Sequence, residues 1–138
     1  MRIIDKLRSR QVSVEVLERE GKALREQWEE KFAGILSRKQ KRKIYLDQHL
    51  WHLFSYEQVE HLSGREAEEA FDATLKKTCF VFYQRDDEAL KLTDASALKA
   101  KVFEDENDIY IMDDRMTWTY VHTHEDDLGP YFYRKNRK

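Results

Sequence analysis

The sequence predicts an α+β domain: a mainly antiparallel sheet of four or five strands, packed on one face by two or three helices. Three observations point there. Apolar residues recur at helical spacing between Arg19 and Leu36, the run TCFVFYQ at 78–84 is strongly β-forming, and Ile109–Asp113 and Thr117–Thr123 are joined closely by DRM. That last spacing suits a tight hairpin.

Along the chain, Val12, Val14 and Val16 alternate with polar residues, as in a short strand or the loop into the first long helix. Leu24, Trp28, Phe32 and Ile35 then form one face of that helix, with Arg25, Glu26, Glu29, Glu30 and Lys31 on the other positions. Ser37 followed by Gln40 is a capping-box pair opening a short basic turn. The segment IYLDQHLWHLFSY is apolar on both faces, which predicts a buried strand over about Leu50–Ser55, with a helix as the alternative.

Ser63 with Glu66 reads as a second capping box, with Leu62 stapling onto Ala67 and Ala67, Ala70, Phe71 and Leu75 as the buried face. This helix and the Trp28 helix are expected on the same side of the sheet. Leu90–Leu92 is expected to pair antiparallel with 78–84 across RDDE, and Asp94 to cap a short helix through Ala97, Leu98 and Val102. EDEND forms a polar break before the hairpin, and Gly129 and Pro130 stop regular structure ahead of Tyr131, Phe132 and Tyr133.

A chain of 138 residues fits one domain, 1–138, ending in a flexible basic tail at 134–138. With 25 basic and 27 acidic residues the net charge is −2, so no global field favours nucleic acid or anionic lipid. Charges interrupt the apolar start of the N-terminus, and no stretch is long enough to span a bilayer, so a cytoplasmic protein without membrane contact is expected. Cys79 is the only cysteine, which excludes an internal disulfide and multi-cysteine zinc sites. Four glycines form no nucleotide loop, and GxSxG and HExxH are absent. No cofactor is expected.

The last predicted strand carries the chemistry. Its two-residue period places Trp118, Tyr120, His122 and His124 on one face and Thr117, Thr119, Val121 and Thr123 on the other. Two imidazoles at i and i+2 can share a metal ion, with Glu125, Asp126 or Asp127 adding an oxygen ligand or a base. The competing reading packs the aromatics against a helix and leaves the histidines bonding to backbone or solvent. It is preferred, because a site needs a third ligand that spacing alone does not supply. His49 and His52, flanking Trp51, and His61 are candidates for completing a metal shell, although hydrogen bonding at the core edge is the simpler role. Cys79, at the start of an apolar strand, reads as an inert hydrophobe. Asp86, Asp87, Asp113 and Asp114 read as turn residues bonding to backbone. The cluster Arg38, Lys39, Lys41, Arg42 and Lys43 offers phosphate contacts, but the balanced total charge argues against a dedicated nucleic-acid binder.

The segments LWHLFSYE, SGREAEEAFD, CFVFYQ and WTYVHTHEDDLGPYFY together resemble a family of small uncharacterised bacterial proteins, a domain of unknown function found largely in Bacillus-type bacteria. The resemblance runs from about Gly21 to Tyr133. Its most specific part is Trp118 followed by Thr123, His124 and Glu125 and then Leu128, Gly129, Pro130, Tyr131 and Phe132. It implies a cytoplasmic protein of mixed fold and no established activity. The acidic turn, Trp-bearing strand and THE also resemble, more loosely, small immunity proteins that neutralise bacterial toxins. The preferred function is therefore non-enzymatic protein binding or immunity, with Trp118, Tyr120, His122, His124, Glu125 and Tyr131 as the presented surface. The alternatives are a metal-dependent hydrolase using His122 and His124 and a nucleic-acid accessory protein.

Overall fold

A computed structural model describes residues 3–125 and 127–135. Its elements are α1 (Ile3–Ser9), β1 (Ser13–Leu17), α2 (Gly21–Phe32), α3 (Arg38–Lys43), α4 (His52–Ser55), β2 (Leu62–Ser63), α5 (Gly64–Ala73), β3 (Cys79–Tyr83), β4 (Ala89–Thr93), β5 (Ile109–Asp113), β6 (Trp118–His122) and β7 (Tyr131–Arg134). Two 3₁₀ turns, Ala95–Ala97 and Ala100–Phe103, lie between β4 and β5. The α+β class holds, but the antiparallel sheet has seven strands, in the order β1-β4-β3-β5-β6-β7-β2, rather than four or five.

The added strands are short pieces towards the two sides of the sheet, with β1 and β2 at its edges and β7 between β6 and β2. β1 zips along β4 from Ser13 opposite Thr93 to Leu17 opposite Ala89. Tyr131–Arg134, expected to be irregular after Gly129 and Pro130, lies against β6 from Val121 to Trp118. Arg134 thus belongs to a strand rather than to a flexible tail, while the rest of that tail, at 136–138, lies outside the described residues. β3 pairs with β4 and β5 with β6 as expected.

The sheet is covered on both faces. On one side Leu7 of α1, Phe71 of α5 and Phe103 pack with Trp118 and Tyr120. On the other, Leu24, Trp28 and Phe32 of α2 pack with Leu53, Phe54, Tyr110 and Val121. The Trp28 and Phe71 helices therefore occupy opposite faces, not one. One buried polar chain crosses this sandwich: Trp28 Nε1 donates to Thr119 Oγ1 at 2.8 Å, and that hydroxyl donates to Ile111 O at 2.8 Å, whereas the Tyr120 hydroxyl is buried without a partner among the described residues.

Local departures from the expected elements have identifiable causes. Leu50–Ser55 is a turn leading into α4, with Tyr56 N donating to His52 O at 3.0 Å. Its two-sided apolarity reflects a helical turn wedged between α2 and the sheet. Ser37 makes the expected capping box, with Ser37 N donating to Gln40 Oε1 at 2.7 Å and Gln40 N donating to Ser37 Oγ at 3.1 Å. Ser63 makes no side-chain cap, because it pairs with Tyr131 in β2 and the chain enters α5 through Gly64 at φ 61°. Leu62 is 40% exposed, and Leu75 falls beyond the end of α5 and is 97% exposed. Asp94 adopts φ 52° and caps nothing through its side chain. α2 starts at Gly21, whose N–H donates to Asp87 O at 2.8 Å; a Cβ there would lie 2.1 Å from Asp86 O, so only glycine permits this approach.

In chemical denaturation, Phe71→Ala is expected to cost about 3–5 kcal/mol by emptying the α5 side of the core. Thr119→Val is expected to cost about 1–3 kcal/mol by orphaning the Trp28 N–H, and Leu75→Ala no more than about 0.5 kcal/mol.

Candidate metal centre

Both faces of β6 are spoken for, and this decides the fate of the predicted surface. Trp118, Tyr120 and Tyr131 are 3%, 0% and 4% exposed, so they are core residues. His122 is part-buried, with Nδ1 2.7 Å from Glu106 O. β6 ends at His122, and after Thr123 the chain turns, so the two histidines do not share a ligand. Of the residues expected to present a surface, His124 and Glu125 stand exposed.

His124 instead meets His49 and Asp108. Ligand atoms of these three residues lie within 4.8 Å of one another. His124 Nδ1 is 2.9 Å from both Asp108 carboxylate oxygens, and His49 Nε2 is 3.8 Å from Asp108 Oδ2. The His49 and His124 rings face each other with centroids 5.2 Å apart. Three separate segments supply the cluster: the turn before α4, the start of β5 and the exit from β6.

Each segment is held in place. Tyr110 OH accepts the Trp51 N–H at 3.1 Å and donates to Gln84 Oε1, which also accepts Leu50 N–H at 3.0 Å. The His49 turn is thereby tied to the centre of the sheet. Asp108, at φ 53°, turns its carboxylate back under the exit of β6. There Oδ1 accepts Trp51 Nε1–H at 2.9 Å and the His124 amide at 3.2 Å. On the far side of the His124 ring, Nε2 lies 3.2 Å from Glu125 Oε1. His52 packs at 5.2 Å from His49 and 4.8 Å from Trp51, with Nδ1 3.0 Å from Tyr45 O.

The electrostatics of the two histidines diverge. The hydrogen bond to Asp108, and then the charges of Asp108 and Glu125, hold His124 above its ordinary 6.5. Burial pushes His49 below 6.5, outweighing the attraction of Asp108, while His52, Arg85 and His124 add repulsion.

The other sequence candidates lie elsewhere. His61 bonds through Nδ1 to Val59 O at 2.8 Å beside Tyr131, away from the cluster. Asp126 lies outside the described residues, and Asp127 is exposed and outside the cluster. Cys79 is fully buried, and burial pushes its thiol up to about 12, so it is no nucleophile. Asp86 and Asp113 accept backbone amides from Glu88 and Thr117, as turn residues do. The basic cluster forms α3, with Lys41 paired to Glu29 at 3.0 Å.

Residues 1–132 match a protein family described as a domain of unknown function, DUF4275. The chain belongs to that family. No curated protein and no solved structure matches it. The resemblance drawn from the four sequence segments is met at this level, and within the DUF4275 chain the THE segment supplies one of the three clustered ligands.

NMR titration of the DUF4275 protein in EDTA should place the His124 ring above 6.5 and the His49 ring below it, and Asp108→Asn should bring His124 down. The sign follows from linkage. A raised His124 contributes stability fully below 6.5 that is lost as pH rises through its folded value. A lowered His49 contributes stability above 6.5 that is lost as pH falls through its own.

Proposed function

We propose that the chain is a metal-dependent hydrolase whose ion is held by His49 Nε2, Asp108 Oδ2 and His124 Nδ1. The convergence of these groups, from segments far apart in sequence, carries the reading. Metal–ligand bonds of about 2.0–2.1 Å in a tetrahedral shell put ligand atoms about 3.3 Å apart. The two separations from Asp108 Oδ2, 2.9 and 3.8 Å, bracket that value, and all three ligand atoms lie within 4.8 Å of one another, so the two imidazoles would draw together on an ion. Three protein ligands leave a position open for water, as catalytic rather than structural sites do.

The surroundings suit the same role. Trp51 and the His124 amide occupy Oδ1, which leaves Oδ2 to the ion. Glu125 Oε1, 3.2 Å from His124 Nε2, favours a proton on that nitrogen, which would leave Nδ1 to coordinate. Imidazole and carboxylate ligands suit zinc, and two histidines with one carboxylate also suit ferrous iron. A bound ion would supply a hydroxide near neutral pH. With both ring nitrogens beside carboxylate oxygens, the protonated form of His124 is favoured, and from that form uptake of the ion at Nδ1 would release a proton.

After EDTA stripping, one equivalent of zinc or cobalt is expected to bind in calorimetry, with heats that vary with buffer ionisation enthalpy because a proton is released. His49→Ala, Asp108→Asn and His124→Ala should abolish uptake, and Trp51→Phe should weaken it by about 10–100-fold. Absence of stoichiometric uptake of zinc, cobalt, manganese and iron would sink the proposal. Hydrolysis is read with p-nitrophenyl acetate and bis(p-nitrophenyl) phosphate; turnover by the zinc form no faster than by His124→Ala would remove the hydrolase and leave a metal-binding protein.

A further inference from the structure

A cavity of about 280 Å³ lies between the end of α4, the start of α5 and the loop at 127–129. None of the three clustered metal ligands borders it. Pockets for drug-sized molecules run from about 300 Å³ upward, so this one suits a smaller ligand.

One wall is aromatic. Phe54, His61 and Tyr131 form a triad in which each ring packs on the other two, with centroids 5.3 Å apart for Phe54–His61 and Phe54–Tyr131 and 5.2 Å apart for His61–Tyr131. The pairing of Ser63 with Tyr131 brings the His61 segment to this ring. Gly129 closes on the same ring from the loop: at φ 105°, with a Cβ there falling 3.3 Å from two Tyr131 ring carbons, the position favours glycine.

The polar groups of the lining offer acceptors. Ser55 Oγ is buried and has no hydrogen-bond partner among the described residues, an unfavourable state for a hydroxyl that solvent does not reach. His61 Nδ1 lies 2.8 Å from Val59 O, and because a carbonyl only accepts, the Nδ1 position carries a proton and the neutral ring keeps its lone pair on Nε2.

The charge of the lining is one-sided. Its acids are Glu57 and Asp127, and among the described residues no lysine or arginine borders the cavity. Burial, and then the charge of Glu57, hold the Tyr131 phenol above its ordinary 10.0, which places that carboxylate's field on the aromatic wall. Arg65, next after Gly64, pairs with Glu69 one turn further along α5 at 3.7 Å, and the positive start of the helix carries its own Glu66 in the first turn.

We propose that this cavity binds a primary alkylammonium group, with the charged head among Glu57, Asp127 and Ser55 Oγ and the alkyl chain against the Phe54–His61–Tyr131 wall. An ammonium brings three donors to a site of acceptors, and its charge is favoured both by carboxylates and by aromatic rings. A quaternary ammonium would meet the charge and the rings but leave Ser55 Oγ without a donor. A carboxylate or phosphate would meet two like charges. The proposal is independent of the metal centre and stands whether or not an ion binds there.

The test uses the ¹⁵N-labelled full chain in EDTA, at neutral pH and constant ionic strength. It is titrated with n-butylammonium, with neutral n-pentanol, with tetramethylammonium and with pentanoate. Butylammonium is expected to shift the amides of Ser55, Glu57, Gly64 and Leu128 saturably, and to bind at least about tenfold tighter than pentanol or tetramethylammonium, with pentanoate shifting none of them. Ser55→Ala and Glu57→Gln should each weaken butylammonium about tenfold while leaving the rest of the spectrum intact. Acetyl-lysine methylamide carries the same head and chain on a peptide backbone: binding tighter than butylammonium would mark the ligand as a lysine of a partner protein, and weaker binding would mark it as a free amine. Pentanol or tetramethylammonium binding as well as butylammonium, shifts confined to other amides, no saturable shift at millimolar amine, or unchanged affinity in both variants would each overturn the proposal.

Discussion

Burial of the sheet on both faces governs the rest of this molecule. Alternate residues of β6 enter different layers, with Trp118 and Tyr120 against α5 and Thr119 and Val121 against α2 and α4. No face of the strand is left to meet water, so its polar groups depend on partners inside; among the described residues the Thr119 hydroxyl has them and the buried Tyr120 hydroxyl does not. The Trp28–Thr119–Ile111 chain is one answer. Tyr110, fully buried on β5, is the other: its hydroxyl has to find a partner, and it finds the turn carrying Leu50 and Trp51 together with Gln84. A demand of the core thus fixes the loop that presents His49.

Asp108 converts that fixed loop into a site. Its carboxylate gathers the Trp51 indole, the His124 amide and the His124 ring, three donors from two segments. Such a hub raises the proton affinity of one histidine while burial lowers that of its neighbour, a separation that one carboxylate shared between two similar rings would not give in water. Under the proposed role, a cation would meet two imidazoles of opposite proton affinity and one carboxylate oxygen whose partner oxygen is occupied.

Much of this was legible in the residues, and the failures share one physical origin. Most elements specified by local chemistry appear where expected: the Trp28 helix as far as Phe32, the Ser37 capping box, the 78–84 strand with its partner at 90–92, and the 109–123 hairpin, whereas Ile35 falls outside its helix and the Ser63 and Asp94 caps do not form. Elements whose identity depends on what lies across from them do not. β1, left open between strand and loop, is made an edge strand by β4, β7 is held between β6 and β2, and Leu50–Ser55 is apolar on all sides because it is wedged rather than because it is extended. His124 was visible as a ligand and His49 as a possible companion, but strand periodicity tied His124 to His122, and periodicity ends where the strand does. Asp108 carried no signal. EDEND reads as a solvated break, and only the left-handed backbone at Asp108 brings its carboxylate back to the histidines.

The two ends of β6 show how one rigid strand supports two unlike surfaces. At the His122 end, pairing continues to the last residue opposite Ile109, and the chain then turns over a hydrogen-bonded carboxylate; the result is polar, compact and held by directed bonds. At the Trp118 end, β7 outlasts β2, so among the described residues no strand pairs with the outer side of Arg134, and Leu62 and Leu75 stand exposed nearby. Directed bonds favour a small ion or ligand of defined geometry, whereas an unfinished edge specifies no single occupant. Because the core between them is fixed by packing on both faces, each surface keeps its shape without reference to the other.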